Sequence, residues 1–124
     1  MSSPEIDVHK AIVSWLSYAL PADSLVHHSP NEGRHNVAFR AKQKSMGMQA
    51  GWPDIEIFVA AKHFKKPLFY FAPIFLEVKS EKGKLSKKQR AVLEKLRTLG
   101  AHTAVVRSID DARNFLAGII KVYA

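Results

Sequence analysis

The chain of 124 residues contains no cysteine. Disulfide bonds and thiolate metal sites are therefore excluded, and any metal must be held by carboxylate, carbonyl or imidazole ligands. No apolar run approaches the roughly 20 residues that a membrane-spanning helix needs. The longest apolar-rich stretch, Pro67 to Val78, predicts a buried strand instead. No signal-peptide layout precedes the first helical segment, so a cytoplasmic location without membrane attachment is expected.

The residues that are present indicate a folded, basic domain. A hydrophobic fraction of 47% argues against a disordered chain and predicts a single domain over residues 1–124. The net charge of +8 favours a polyanionic partner such as nucleic acid, although many soluble proteins are simply basic. Eight of the nineteen residues from Lys79 to Arg97 are Lys or Arg, which concentrates this charge in one segment.

Periodicity and capping signals predict an α/β fold with the order αβββαβα. A first helix begins near Pro4 and is stopped by Pro21, and later helices are capped by Ser86 and Ser108. The predicted strands are 24–28, 54–59, 68–79 and 103–107, while residues 36–46 could form a polar helix. A strand, a helix and another apolar strand in succession imply a parallel pair. We therefore expect a mixed β-sheet flanked by helices.

Three charged residues lie where a sheet would bring them together. Asp54 opens one strand, and Glu77 and Lys79 end the next and most apolar strand. Alternation along a strand places Glu77 and Lys79 on one face, and a hairpin would bring Asp54 beside Glu77. Taken singly, each of these residues is more simply interpreted as an ordinary turn or surface residue than as part of a site. Charges at the end of a central strand are nevertheless unusual without a purpose.

These residues form a hard oxygen site in the predicted fold. The carboxylates of Asp54 and Glu77, with the backbone carbonyl of Val78, suit Mg²⁺ or Mn²⁺. Such an ion can lower the pKa of a bound water and stabilise a phosphoryl oxygen. Lys79 could orient that water or neutralise the transition state. The histidines show no zinc-ligand spacing such as H-E-x-x-H.

The order of these motifs resembles a known nuclease family. Pro53-Asp54 followed by Glu77-Val78-Lys79 resembles the PD-(D/E)xK superfamily. The spacing Gly47-x-x-x-Gly51-x-Pro53-Asp54, then Glu77-x-Lys79 and Leu85-Ser86-x-x-Gln89, is similar to stand-alone VRR-NUC domains and covers nearly the whole chain. This resemblance implies a restriction-endonuclease-like core.

The resemblance also implies roles for particular residues. Asp54 and Glu77 would be metal ligands, Lys79 the catalytic lysine and Gln89 a site residue on a helix. An acidic residue is implied on the first helix. Glu5 matches it, although Glu32 in the following loop competes for the role, and we favour Glu5 because it shares a helix face with His9. Candidates for phosphate contact, each of which taken singly is more simply solvated surface, are Arg34, Lys82, Lys84, Lys87 and Lys88.

The sequence therefore predicts an endonuclease that uses Mg²⁺ or Mn²⁺ to hydrolyse phosphodiester bonds in branched or duplex DNA. Small stand-alone VRR-NUC domains resemble Holliday-junction resolvases and are often phage-encoded, so a bacterial or phage-infected cell and a homodimer are expected. Apolar residues assigned to the last helix could form the dimer interface or the monomer core: Phe115, Leu116, Ile119, Ile120, Val122 and Tyr123. The alternatives are a nucleic-acid-binding module on the same fold that does not cut, and a general duplex or repair nuclease without junction preference.

Overall fold

The computed structural model describes residues 3–29, 36–66 and 72–124. The elements follow in this order: α1 (Ser3–Ala19), β1 (Leu25–His28), α2 (Val37–Ser45), β2 (Ile55–Phe58), a short 3₁₀ helix (Ala61–His63), β3 (Ile74–Val78), α3 (Lys87–Thr98), β4 (His102–Val106) and α4 (Ile109–Ala117). Within the described ranges, no helix is both long enough and apolar enough to cross a membrane.

The strands form one mixed sheet in the order β1-β2-β3-β4. Strand β2 is antiparallel to both β1 and β3, whereas β3 and β4 are parallel and are connected through α3. This arrangement confirms the predicted α/β class and the predicted parallel pair. Ile55 pairs with Leu76, so the residue that precedes β2 lies beside the last residues of β3.

The side chains of β3 alternate between two helical layers. Ile74, Leu76 and Val78 belong to the main core with residues of α1 and α4, whereas Phe75 packs with residues of α3. Since successive side chains of a strand face opposite sides, Glu77 is on the α3 side. The end of β3 is thus enclosed by one layer on each side.

Two element boundaries differ from the prediction. Residues 36–46, left as a possible helix and missing from the predicted order, contain α2, whose N-cap Asn36 accepts a hydrogen bond from the Phe39 N–H at 2.7 Å. The strand predicted over residues 68–79 begins only at Ile74. Pro73, just before it, has no N–H for a sheet ladder, and residues 68–71 lie outside the described part of the chain.

The placement of Ile119 to Tyr123 on the last helix was wrong. Helix α4 ends at Ala117, and the chain then turns back over the body of the molecule. Ile120 forms an isolated β-bridge with Phe64, and the Tyr123 N–H donates to the Ala19 carbonyl at 2.8 Å. Burial in this chain's own core accounts for Leu116, Ile119 and Ile120.

Candidate active site

The antiparallel pairing of β2 and β3 brings Asp54 to the end of β3. Its Oδ2 accepts a hydrogen bond from the Val78 N–H at 2.7 Å. The carboxylate thereby binds a backbone N–H of β3 that a longer β2 could have paired with. The hairpin predicted from the sequence therefore places this carboxylate beside Glu77 and Lys79, which the same strand end carries.

These three charged side chains are almost fully enclosed. The exposed fraction is 5% for Asp54, 1% for Glu77 and 8% for Lys79. Charged residues are rarely buried to this extent unless they are paired or bind an ion, because removing a charge from water is costly. Their burial distinguishes them from the surface pattern that an alternating Glu-x-Lys usually represents.

Lys79 connects the strand end to the first helix. Its Nζ lies 3.5 Å from Oε1 of Glu5 and 3.7 Å from Oε2 of Glu77. Glu5 is in the first turn of α1, so this helix supplies an acidic residue to the cluster, as predicted. The competing residue, Glu32, lies outside the described part of the chain.

Gln89 reaches the cluster from the first turn of α3. Its Nε2 donates to Oε2 of Glu77 at 3.1 Å, and its Oε1 accepts from the Ser86 N–H at 2.9 Å. Oγ of Ser86 in turn accepts from the Gln89 N–H at 3.1 Å, which completes a capping box. One glutamine therefore both caps the helix and orients the Glu77 carboxyl group.

Gly51 allows the turn before β2 to lie against α3. Its φ of +79° favours glycine, and an added Cβ would lie 2.8 Å from the Lys88 carbonyl carbon and 2.9 Å from the Gln89 nitrogen. The neighbouring Trp52 packs edge to face on Phe75 with ring centroids 5.5 Å apart. The backbone of the Gly-x-Pro-Asp motif is thereby fixed against the helix that carries Gln89.

Burial, and after it the neighbouring Asp54 carboxylate, raise the pKa of Glu77 to about 9, while Lys79 opposes the shift. In its neutral form Glu77 can share a hydrogen bond with Asp54. In its ionised form the buried Oε1 has no hydrogen-bond donor. A cation between the two carboxylates would satisfy this oxygen and would remove the cost of ionising Glu77.

The donor set fits a small divalent cation that prefers oxygen ligands. Asp54 and Glu77 supply carboxylate oxygens, and the carbonyl of Val78 is expected to face the same side as its N–H, which binds Asp54. Within the described residues, no three His, Asp or Glu side chains are grouped closely enough to hold a metal alone. An ion here would therefore need backbone and water oxygens as well, which is usual for Mg²⁺.

Two histidines complete the surroundings of Asp54, and the sequence did not assign them a role. The His9 ring is buried and packs edge to face on His28 with centroids 4.6 Å apart. Burial, and then His28, lower the pKa of His9, so it is neutral near pH 7. Nδ1 of His28 lies 3.1 Å from the backbone oxygen of Asp54. The spacing of His9 from Glu5 indicated that the two share a helix face, but it did not indicate the packing on His28.

The predicted phosphate contacts occupy the exposed surface around the start of α3. The exposed side chains are Lys82, Lys84, Lys87 and Lys88, whereas Arg34 lies outside the described residues. Arg107, which the sequence did not single out, holds the preceding turn: its Nη1 donates to the carbonyl oxygens of Ser80 at 2.7 Å and Gly83 at 2.6 Å. The turn that carries the first two lysines is thus fixed to the end of β4.

Comparisons with known proteins agree with the observed fold. The family model of the VRR-NUC domain matches residues 4–110. A solved structure described as a VRR_NUC domain protein is similar with a TM-score of 0.65 and 22% sequence identity, over 94% of this chain and 88% of that chain. That likeness shows the fold, a mixed sheet flanked by helices of the restriction-endonuclease-like type. None of the curated proteins matches. Because the family model covers most of its length, the chain belongs to the VRR-NUC domain family, a family of nuclease domains.

Proposed function

We propose that this chain is an endonuclease that depends on Mg²⁺ or Mn²⁺ and hydrolyses phosphodiester bonds in DNA. The observation that carries this proposal is the buried pair of Asp54 and Glu77, in which Oε1 of Glu77 has no hydrogen-bond donor. The cluster contains three carboxyl groups and the ammonium group of Lys79, which lies near Glu5 and Glu77, while Asp54 neighbours Glu77. When ionised, the cluster has an excess of two negative charges, which one divalent cation would balance.

Asp54, Glu77 and the Val78 carbonyl are the proposed ligands of that cation. When bound, Mg²⁺ or Mn²⁺ would lower the pKa of water and stabilise negative charge on a phosphoryl oxygen. Gln89 keeps one oxygen of Glu77 engaged and leaves Oε1 available, so its hydrogen bond selects the orientation that the ligand role requires. Such supporting hydrogen bonds commonly set the geometry of a metal site.

Lys79 is the proposed catalytic residue for hydrolysis. A water oxygen forms a bond to phosphorus while the bond from phosphorus to the leaving sugar oxygen breaks on the opposite side. The Lys79 ammonium, enclosed in the site, can orient the water or stabilise the charge that develops in this transition state. Glu5 holds the ammonium from the other side and acts as a positioning residue.

A negatively charged site that must bind a polyanion needs cations nearby. Lys82, Lys84, Lys87 and Lys88 are the proposed phosphate contacts, because all are exposed on the turn and the helix start next to Gln89. Arg34, which lies outside the described residues, is proposed for the same role because of its charge. Binding through these side chains would weaken steeply with salt, since each phosphate contact releases counterions.

We further propose selectivity for branched DNA such as a Holliday junction, cut by a homodimer. A resolvase cuts two strands and so needs two sites, which a twofold dimer supplies. The structure offers an exposed apolar pair on the edge strand β1 and its neighbour β2: Leu25, 69% exposed, lies opposite Phe58, 45% exposed. If this pair contributes to a dimer, Leu25→Glu should lower the molar mass measured by light scattering, whereas an unchanged mass would remove it from the interface.

The test of the proposed function is the cleavage of labelled four-way junction, flap and linear duplex DNA with Mg²⁺ or Mn²⁺. The wild type should cut, whereas Asp54→Ala and Lys79→Ala should bind DNA without cutting. Glu94→Gln, an exposed change on α3, serves as the control and should cut at the wild-type rate.

The substrate preference decides between the finer alternatives. Preferred cutting of the junction supports the resolvase proposal, whereas equal cutting of all substrates indicates a general duplex or repair nuclease. Binding without cleavage by the wild type under either metal would refute the catalytic proposal and leave a DNA-binding module.

A further inference from the structure

A groove lies between α2 and the start of α3, outside the cluster of buried charges. It has a volume of about 300 Å³, and its lining includes the apolar residues Val37, Met48 and Ala50. Its rim carries three exposed cations, Arg40, Lys44 and Lys88. The sequence had indicated only the last of these, because helix α2 was not part of the predicted order.

The described residues that line this groove include no carboxylate to balance its charge. Residues 36–53 contain three basic side chains and no acidic one. Arg40 and Lys44 are four residues apart and therefore share one face of α2, where like charges destabilise an isolated helix. The helix dipole can account for Lys44 in the last turn but not for Arg40 near the middle.

The groove is connected to the buried cluster through backbone packing. Gly51 contacts the peptide between Lys88 and Gln89, and the Gln89 side chain binds Glu77. Lys88, on the rim of the groove, is therefore adjacent in sequence to Gln89, whose side chain binds Glu77. A phosphate backbone lying over the first turn of α3 would contact the groove and the site together.

We propose that the groove binds the phosphate backbone of the DNA substrate, with Arg40 and Lys44 contacting phosphates that flank the cleaved bond. This inference rests on the proposed function, since it extends the DNA surface from the α3 lysines to α2. It makes α2 part of the binding surface, and it separates two roles: α2 contributes to affinity, whereas the buried cluster contributes to bond cleavage.

The experiment measures binding of fluorescent duplex and four-way-junction DNA by anisotropy, in EDTA and over a range of salt concentrations. The variant is Arg40→Ala with Lys44→Ala. The matched control is Lys62→Ala with Lys66→Ala, which removes the same charge from exposed positions beyond the opposite end of the sheet. Circular dichroism and urea unfolding check that both double variants remain folded.

We expect the α2 variant to bind at least tenfold more weakly near 100 mM salt, and its salt slope to fall by about 1.8, close to 0.9 for each lost phosphate contact. The control should keep the wild-type affinity and slope. Equal affinity and slope for the α2 variant and the control would overturn the proposal. A wild type that binds through the groove but does not cut would refute the proposed function and leave this inference standing.

Discussion

The Glu77 carboxyl group should make the metal-free protein less stable, and Glu77→Gln should relieve this effect. In the folded chain its pKa is about 9, against 4.5 in the absence of the fold, because burial and Asp54 disfavour the ionised form. Between these values the folded state holds a proton that the unfolded state has released. Raising the pH through this window therefore favours unfolding.

The size of the effect follows from the difference between pH 7 and 4.5, the pKa of Glu77 in the unfolded chain. At 1.36 kcal/mol for each pH unit, the wild type at pH 7 should have lost about 3 kcal/mol of unfolding free energy relative to acid conditions. Glutamine is uncharged at every pH and can still accept the hydrogen bond from Gln89. We therefore expect Glu77→Gln to be more stable than the wild type by up to about 3 kcal/mol at pH 7, or roughly ten degrees in Tm.

The assay is urea unfolding in EDTA at pH 5, 7 and 8.5, with Glu94→Gln as the control. In the unfolded state both substitutions remove one negative charge, whereas in the folded state below a pH of about 9 only Glu94→Gln does, because Glu77 is already protonated there. Glu94→Gln therefore reports the general effect of removing one exposed carboxylate from a protein of net charge +8. Glu94 is exposed, and its substitution should change the unfolding free energy by less than about 0.5 kcal/mol. The reasoning is refuted if Glu77→Gln is less stable than the wild type, or if its advantage does not grow with pH.

Three further substitutions test the surroundings of the site. Gly51→Ala should reduce the unfolding free energy measured in urea by about 1–3 kcal/mol and should slow cleavage, because the added Cβ would collide with the backbone of α3. Wild-type stability of this variant would show that the turn can move aside. Ser86→Ala should cost about 1 kcal/mol in the same unfolding assay through loss of the helix cap, and a neutral result would contradict the capping role. Gln89→Ala should lower the single-turnover cleavage rate by about 10- to 100-fold, as expected for a group that orients a metal ligand; an unchanged rate would exclude Gln89 from the site.

The sequence predicted those parts of the fold that depend on local patterns. Alternation along β3 and the hairpin with β2 place Asp54 beside Glu77. The two serine caps identified from spacing also begin helices in the structure: Ser86 accepts from the Gln89 N–H and Ser108 from the Asp111 N–H. Such contacts connect residues that are near in the chain or on neighbouring strands, so short-range rules are sufficient.

Contacts between distant elements were not predictable in the same way. The packing of His9 on His28 depends on how α1 crosses the sheet, and no spacing in the sequence reports that angle. The apolar pattern of the last residues suggested that they continue helix α4. The chain instead leaves the helix after Ala117, and Ile120 forms a bridge with Phe64, a contact between residues far apart in the sequence. Helix α2 has no buried side chains among its residues, so no apolar stripe marked it clearly.

Metal-dependent cleavage by the wild type and Asp54→Asn tests the account most directly. Asparagine keeps the shape of the side chain and removes the negative charge that a cation would need. With the DNA that the wild type cuts best, cleavage should rise with added Mg²⁺, stop in EDTA and fall at least 100-fold in Asp54→Asn, while DNA binding persists. Cleavage by the wild type in EDTA, or wild-type rates for Asp54→Asn, would contradict the assignment of the Asp54 and Glu77 pair as a catalytic metal site.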